Sequence, residues 1–362
     1  MKQVIFKAKG MLCSGIRLNE LCFLTIREGI IQTISYDMPD FSGSEIADFR
    51  NLTLSPCFCD YHLHFSARAR TAAESIGASL LRQGIGEAYE GGDKGMAGLS
   101  VKETLRGMPR IMTSGYALYK MGGYGSALGR GIAHHTDAVT AINELISCHV
   151  DYIKIINSGV YDPESGRISA GGFESTELKH IVDYAQERGL KVYCHANGLK
   201  AVKQAIDAGV SAIVHGLYSD DEIFAEMAER KIAFIPTVHA FQSLLAIAKT
   251  EAARQNIEKR VDAHLSAVNR AFEHKVRVLP GSDSGPGFIP YGNAYIQELR
   301  LLLRAGIPFV EVIQSAATAT LTEGAPADFV LLDGLSVQHA VFRGQLLAQH
   351  GSHSAKIVNK IC

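Results

Sequence analysis

The chain has 362 residues, 47% hydrophobic and 20% charged, enough to bury a large core in one or two domains. Thirty-six Lys and Arg against 37 Asp and Glu leave a net charge of −1, with no long basic run of the kind that nucleic acid attracts. No apolar run reaches the ~18 residues of a membrane span, so neither partner is expected. The segment MKQVIFKAKGML carries lysines within its apolar stretch and reads as a strand, not a signal peptide. Seven scattered cysteines (Cys13, Cys22, Cys57, Cys59, Cys148, Cys194, Cys362) argue against a disulfide framework and predict a reducing, cytoplasmic setting.

Residues 1–51 read as short strands (VIFKAK, CFLTIREG, IIQTISYD) with a turn at Gly29. From Leu52 the rhythm changes. LTLSPCFC is a strand, TAAESIGASLLRQG a helix stopping at Gly84, IGEAYEGG a weak strand, VKETLRGM a helix and RIMTSG a strand. Capping at Thr136 or Asp137 opens AVTAINELISC, followed by the strand VDYIKIINSG. ESTELKHIVDYAQERG is a helix ending at Gly189. The strands LKVYCHANG, SAIVHG and KIAFIPT then alternate with the helices LKAVKQAIDAG and DDEIFAEMAER. A long amphipathic helix, EKRVDAHLSAVNRAFEHK, precedes the strand VRVLPGSD; two helices and the tail strands ADFVLLDG and VQHAVFRGQLLA follow. Eight strand–helix units over about 270 residues predict a parallel (β/α)8 TIM barrel. An open doubly wound sheet is the competitor, but no glycine fingerprint follows the first strand. The predicted architecture is α/β: a barrel over 52–324 and a small composite β-sandwich from 1–51 and 325–362.

Ligand-type residues fall at the C-terminal parts of these strands. His62 and His64 end the first, Lys154 lies in the fourth, and His195 and His215 end the fifth and sixth. Asp283 ends the eighth. Active sites of such barrels lie at that face, so the six converge on one mouth. His62 and His64, two apart on a strand, point to the same side. Three imidazoles and a carboxylate suffice for one zinc, manganese or iron ion. A lone histidine is usually a hydrogen-bonded core residue; His-x-His with further polar strand ends in register points to metal.

Through SPCFCDYHLHF, SGYALYKMGGYG, VDYIKIINSG, LKVYCHANGLKAVKQAIDAGVSAIVHG, FIPTV, GSDSG and APADFVLLDG, the sequence resembles the amidohydrolase superfamily. Within it, the prolidase-like and imidazolonepropionase-like metal-dependent hydrolases are the nearest pattern. The resemblance implies two divalent ions, zinc above all, bridged by a carboxylated lysine and a hydroxide. By motif position it assigns His62, His64 and Asp283 to one ion, His195 and His215 to the other, and Lys154 to the bridge. Two departures stand out: Pro56-Cys-Phe-Cys-Asp60 replaces the usual Pro-Gly start, and Tyr124 stands where members often have histidine. The approach to APADF is also shorter than the family's.

A lysine inside Ile153-Lys154-Ile155-Ile156 needs an explanation, because an isolated buried ammonium is costly. It can snorkel to the barrel mouth; or its neutral amine can take up CO2 to form a bridging carbamate. Asp283 is the candidate catalytic residue, accepting a proton from water and passing it to the leaving nitrogen. His239, Tyr124, Arg68 and Arg70 are candidate substrate contacts, the arginines as a fork for a carboxylate. A helix-start histidine without a role competes at His239 and a solvated basic helix start at both arginines, while His134-His135 reads as a solvated loop before a helix. Cys57 and Cys59 suit small buried hydrophobes better than ligands. The favoured reaction is hydrolysis of a dipeptide or N-acyl amino acid. A cyclic amide is second and deamination third; a non-catalytic scaffold, possible on any fold, conflicts with six filled ligand positions. The partner is a small molecule, and a homo-oligomer is left open.

Overall fold

The computed structural model describes residues 3–12, 18–66 and 68–347. Cys13, Cys362 and the rest of the tail beyond Leu347 lie outside the described residues. The chain divides into two compact units. One comprises residues up to Cys59, Glu74–Glu87 and the chain from Pro308; the other comprises Asp60–Ala73 and Ala88–Ile307.

In the first unit the opening and closing strands share one seven-stranded sheet. The strand Glu45–Pro56 pairs in parallel with Val4–Met11 and antiparallel with Phe329–Asp333. The expected sandwich is thus one sheet folded over, since Ile30 on its far edge bridges to Pro326. Phe6, Leu24, Leu54, Phe329 and Val341 are buried in its core. The expected strand LTLSPCFC divides in two: LTLSP finishes Glu45–Pro56, and Phe58–Leu63 starts afresh.

The barrel strands follow the predicted order except beside Ile153–Ile156, where Ala117–Lys120, read in the sequence as no strand, pairs in parallel in place of Arg110–Thr113. Ile153–Ile156, Val192–Ala196, Ala212–His215 and Ala233–Ile235 pair in parallel, each with the next. Phe58–Leu63, Ile85–Glu90 and Arg110–Thr113 form a second ladder. The fold is a TIM barrel with a composite domain. Among the described residues no unbroken ladder runs round all eight strands. The eighth, expected as VRVLPGSD, survives only as two parallel bridges, Phe234↔Val278 and Leu63↔Ser284. Pro280 has no N–H to give a ladder, and Asp283 at φ 51° turns left-handed. The helix His135–Ser147 begins one residue before the predicted caps. Asp137 sits in its first turn and accepts from the backbone N–H of Ala133 and His134.

Alternation decides what faces the barrel interior. Lys154 lies opposite Tyr193 in the ladder, and Ile156 lies opposite His195. Tyr152 and Tyr193, rings 4.8 Å apart, pack with Tyr89 and fill the interior. Among the described residues no helix is long and apolar enough to cross a membrane.

Candidate active site

The Phe58–Leu63 strand and the residue after it bring His62 and His64 together, their rings 4.8 Å apart and nearly perpendicular. Asp283 Oδ1 lies 3.5 Å from His62 Nε2 and 3.4 Å from His64 Nε2. One ligating atom from each of the three lies within 4.8 Å of the others. The His215 ring stands 5.6 Å from that of His62 and 4.6 Å from that of His195. Lys154 is 2% exposed. All six predicted residues line one cavity of about 460 Å3.

Hydrogen bonds set which nitrogen each ring turns inward. His64 Nδ1–H donates to Gly92 O at 3.2 Å, leaving Nε2 to face Asp283. His195 Nε2–H donates to Gly159 O at 3.0 Å, leaving Nδ1 as its lone-pair nitrogen. His215 Nδ1 pairs with Thr237 Oγ1 at 2.7 Å, which suits the tautomer with Nε2 free. Such outer partners orient ligands in metal sites. Burial holds His64 down to about 4 and His195 down to about 3, and keeps His62 and His215 well below the usual imidazole range. The rings are therefore neutral at pH 7 and have lone pairs to give. Burial also lowers Lys154 to about 8, against the opposing pull of Asp283, and raises Asp283 to about 7.

The donor set fits a divalent cation. His62 Nε2 and Lys154 Nζ are buried without a hydrogen-bond partner, an arrangement that costs free energy unless something else satisfies them. Imidazole with carboxylate suits zinc and its neighbours. Three of the residues with left-handed backbone stand here: His215, Thr237 and Asp283 adopt φ of 72°, 50° and 51°. Non-glycine residues rarely adopt this region, and such strain clusters at functional sites.

The other candidates divide. Tyr124 lines the cavity, its ring 5.7 Å from that of His195. His239 is outside the lining; its backbone N–H donates to Glu298, and its ring pairs with Ser243. Arg68 and Arg70 are exposed and also outside the lining, and the Arg70 guanidinium donates to Gly95 O. Cys57 and Cys59 are buried in the composite unit, and the Cys59 thiol donates to Glu87 Oε1 at 3.9 Å.

Three buried carboxylates escaped the sequence reading. Asp60 accepts from Ser282 N and Oγ, fixing the turn that carries Asp283. Glu90 accepts from Gly92 N and Thr113 Oγ1, fixing the carbonyl that holds His64. Glu298 accepts from Val238 N and His239 N beside Thr237. Burial raises Asp60 to about 7 and both glutamates to about 8, although their hydrogen bonds pull the other way. Glu90 was findable: it ends an apolar strand just before Gly91-Gly92, as the ligands end theirs.

The Amidohydrolase family pattern matches residues 53–358. Ochratoxinase of Aspergillus niger is 24% identical over 324 residues, covering 76% of this chain; the chain spans 66% of that protein's length. The crystal structure of that ochratoxinase superposes with a TM-score of 0.78 at 21% identity, over 96% of each chain. A Xaa-Pro dipeptidase superposes with a TM-score of 0.82 at 20% identity, over 95% of this chain and 99% of that one. With the fold alike and the family pattern spanning 306 of the 362 residues, the chain belongs to the amidohydrolase family.

Proposed function

We propose that this chain hydrolyses the amide bond of a small peptide-like substrate, of the dipeptide or N-acyl amino acid type. The observation that carries the reading is the meeting of four histidines, Lys154 and Asp283 in one cavity, with two of their nitrogens buried and unpartnered. His62, His64 and Asp283 would hold one divalent ion, zinc by preference; His195 and His215 would hold a second, with Lys154 between. A bound cation of this kind acidifies water and polarises a carbonyl.

The chain's own groups do the rest. Asp283 accepts the proton of the attacking water at a carboxylate oxygen and returns it to the leaving nitrogen. The acyl carbon gains the hydroxyl, the C–N bond breaks, and the nitrogen leaves as an amine. Burial favours the neutral Lys154 amine. That amine adds CO2 to give a carbamate and release one proton, placing two anionic oxygens where Nζ now has no partner. Membership of the amidohydrolase family and likeness to a Xaa-Pro dipeptidase support amide hydrolysis as the class. A cyclic amide is the second reading, supported by the apolar cavity wall.

Metal analysis of the purified protein, with hydrolysis of dipeptide, N-acyl amino acid and cyclic-imide libraries before and after chelation, tests the proposal. We expect at least one bound divalent equivalent and activity that chelation abolishes and metal restores. Well under one equivalent with no hydrolysis would overturn it. For Lys154, a carbamate signal in carbon NMR after labelled CO2 is the readout; an unmodified amine in the metal-loaded protein would leave a single-ion site.

A further inference from the structure

A second cavity, of about 350 Å3, lies outside the catalytic one and shares no lining residue with it. That size is at the small end of the roughly 300–1,000 Å3 of ligand sites. Its wall joins the start of the helix Leu199–Ala208, the turn after the strand Ala212–His215 and one face of the helix Glu251–Glu273. Leu199, Leu217, Ala263 and Ala267 give it an apolar side.

The polar groups on this wall are left with unmet demands of different kinds. The Arg260 guanidinium lies over the Tyr218 ring at 3.7 Å and beside the Tyr161 hydroxyl. Its Nε is buried without a hydrogen-bond partner, and no ion pair neutralises it among the described residues. Arg270, the other cation of the wall, is taken: its Nε stands 3.7 Å from Asp221 Oδ1, and its Nη2 donates to Ser219 O at 3.3 Å. His264 is 2% exposed. Its Nε2–H donates to Pro236 O at 2.9 Å, which leaves Nδ1 a buried lone pair with no donor to meet it. Burial holds this ring down to about 4, so it is neutral. Asp220 adds a carboxylate, whose Oδ1 accepts from Ile223 N at 3.0 Å as the cap of the helix Asp221–Glu229.

Buried polar groups without partners cost free energy unless something else satisfies them. The wall therefore calls for an anion at Arg260, an N–H donor at His264, positive charge at Asp220 and apolar bulk between. An aliphatic α-amino acid carries all four in one small molecule. We propose that this second cavity binds a free aliphatic α-amino acid, with its carboxylate on Arg260, its ammonium between Asp220 and His264 Nδ1, and its side chain on the apolar side. Hydrolysis of a dipeptide or N-acyl amino acid releases such a molecule, so the cavity would hold a product of the proposed reaction. The site itself does not rest on that reading, because binding is measured without turnover.

Titration calorimetry of the zinc-loaded full chain tests it with three probes: L-leucine, L-leucinol, which lacks the carboxylate, and 4-methylpentanoate, which lacks the ammonium. Leucine should bind with a Kd of ~1 mM or tighter. Each of the other two should bind at least ~10-fold more weakly, the scale of losing one hydrogen-bonded charge. No binding of leucine at ~10 mM, or either analogue binding as tightly as leucine, would overturn the proposal. Two variants locate the site. Arg260→Gln removes the cation, and Ala267→Leu fills the cavity from a residue that does not line the catalytic one. In variants of wild-type Tm and zinc content, leucine affinity should fall at least ~10-fold in both. Leucine that binds either such variant as it binds the wild type sits elsewhere, at the metal centre above all, and the proposal falls. Should both variants lose the fold, the probe series on the wild-type chain decides.

Discussion

Gly91 tests whether the histidine pair is a tuned ligand set. It follows the strand Ile85–Glu90, and its N–H donates to Leu63 O at 2.9 Å. A Cβ added there would lie 2.6 Å from His62 Cε1 and 2.8 Å from His64 Cε1. Its backbone is outside the left-handed region, so alanine is excluded by the rings alone. Ordinary contact begins at 3.4 Å; the rings must retreat by about 0.6 to 0.8 Å, more than the ~0.5 Å tolerance of a working constellation. His62 has nowhere to go, boxed between the rings of His64 and His215. We expect Gly91→Ala to weaken metal binding by ~10–100-fold, the scale found when a ligand's support is disturbed. Overpacking should also lower stability by about 1–3 kcal/mol. Competition of the protein with a chelator for zinc, alongside thermal melting, measures both. Gly287→Ala is the control, because a Cβ there meets nothing within 4 Å and the backbone is not left-handed. Wild-type affinity in Gly91→Ala would refute the claim that these rings are held as ligands.

Asp283→Asn should bind substrate yet lose at least ~100-fold in kcat, as loss of a general acid–base group does; near wild-type turnover with metal bound would contradict its role. Thr237→Val removes the partner of His215 Nδ1 and should weaken the metal site by ~10–100-fold, seen in the same chelator competition. Glu298 gives a pH signature. Its folded value near 8 lies above the unfolded 4.5, so the folded chain holds a proton there that the unfolded chain releases. Its contribution is therefore full below pH 4.5 and lost as pH rises towards 8, by up to about 1.4 kcal/mol per pH unit. Glu298→Gln, which cannot ionise, should show a flatter decline in urea stability between pH 5 and 8; parallel profiles would refute the assignment.

What the sequence made legible was the part with a strong period. Apolar strands ending in a ligand-type residue, repeated after regular helices, located His62, His64, Lys154, His195, His215 and Asp283 in one cavity. The reading faltered where local chemistry competes with the period. Residues 276–283 read as a strand, but Pro280 and the left-handed Asp283 leave only two bridges. The arginines after the first strand looked like a carboxylate fork because spacing alone says nothing of side-chain direction; Arg70 turns to Gly95 O. Asp60 and Glu298 were missed because they accept from Ser282 and from the Val238 and His239 N–H groups, far away in sequence. Ser282 lies 222 residues from the Asp60 it bonds.

The distribution of strain links these points. His215, Thr237 and Asp283 each hold a left-handed backbone that costs about 1–3 kcal/mol for a residue with a side chain. Glycine would remove most of that cost at each position but would also remove an imidazole, a hydroxyl partner or a carboxylate. The surrounding hydrogen bonds show what sustains the conformation: Ser282 on Asp60 before Asp283, and Glu298 on the two N–H groups after Thr237. Those buried carboxylates are themselves raised by burial, so the fold tolerates strained turns and desolvated acids side by side. Neither is needed to pack a barrel. At His215, Thr237 and Asp283 the strain sits beside neutral imidazoles and the unpartnered lysine, the combination that a metal-holding site would keep at the expense of stability.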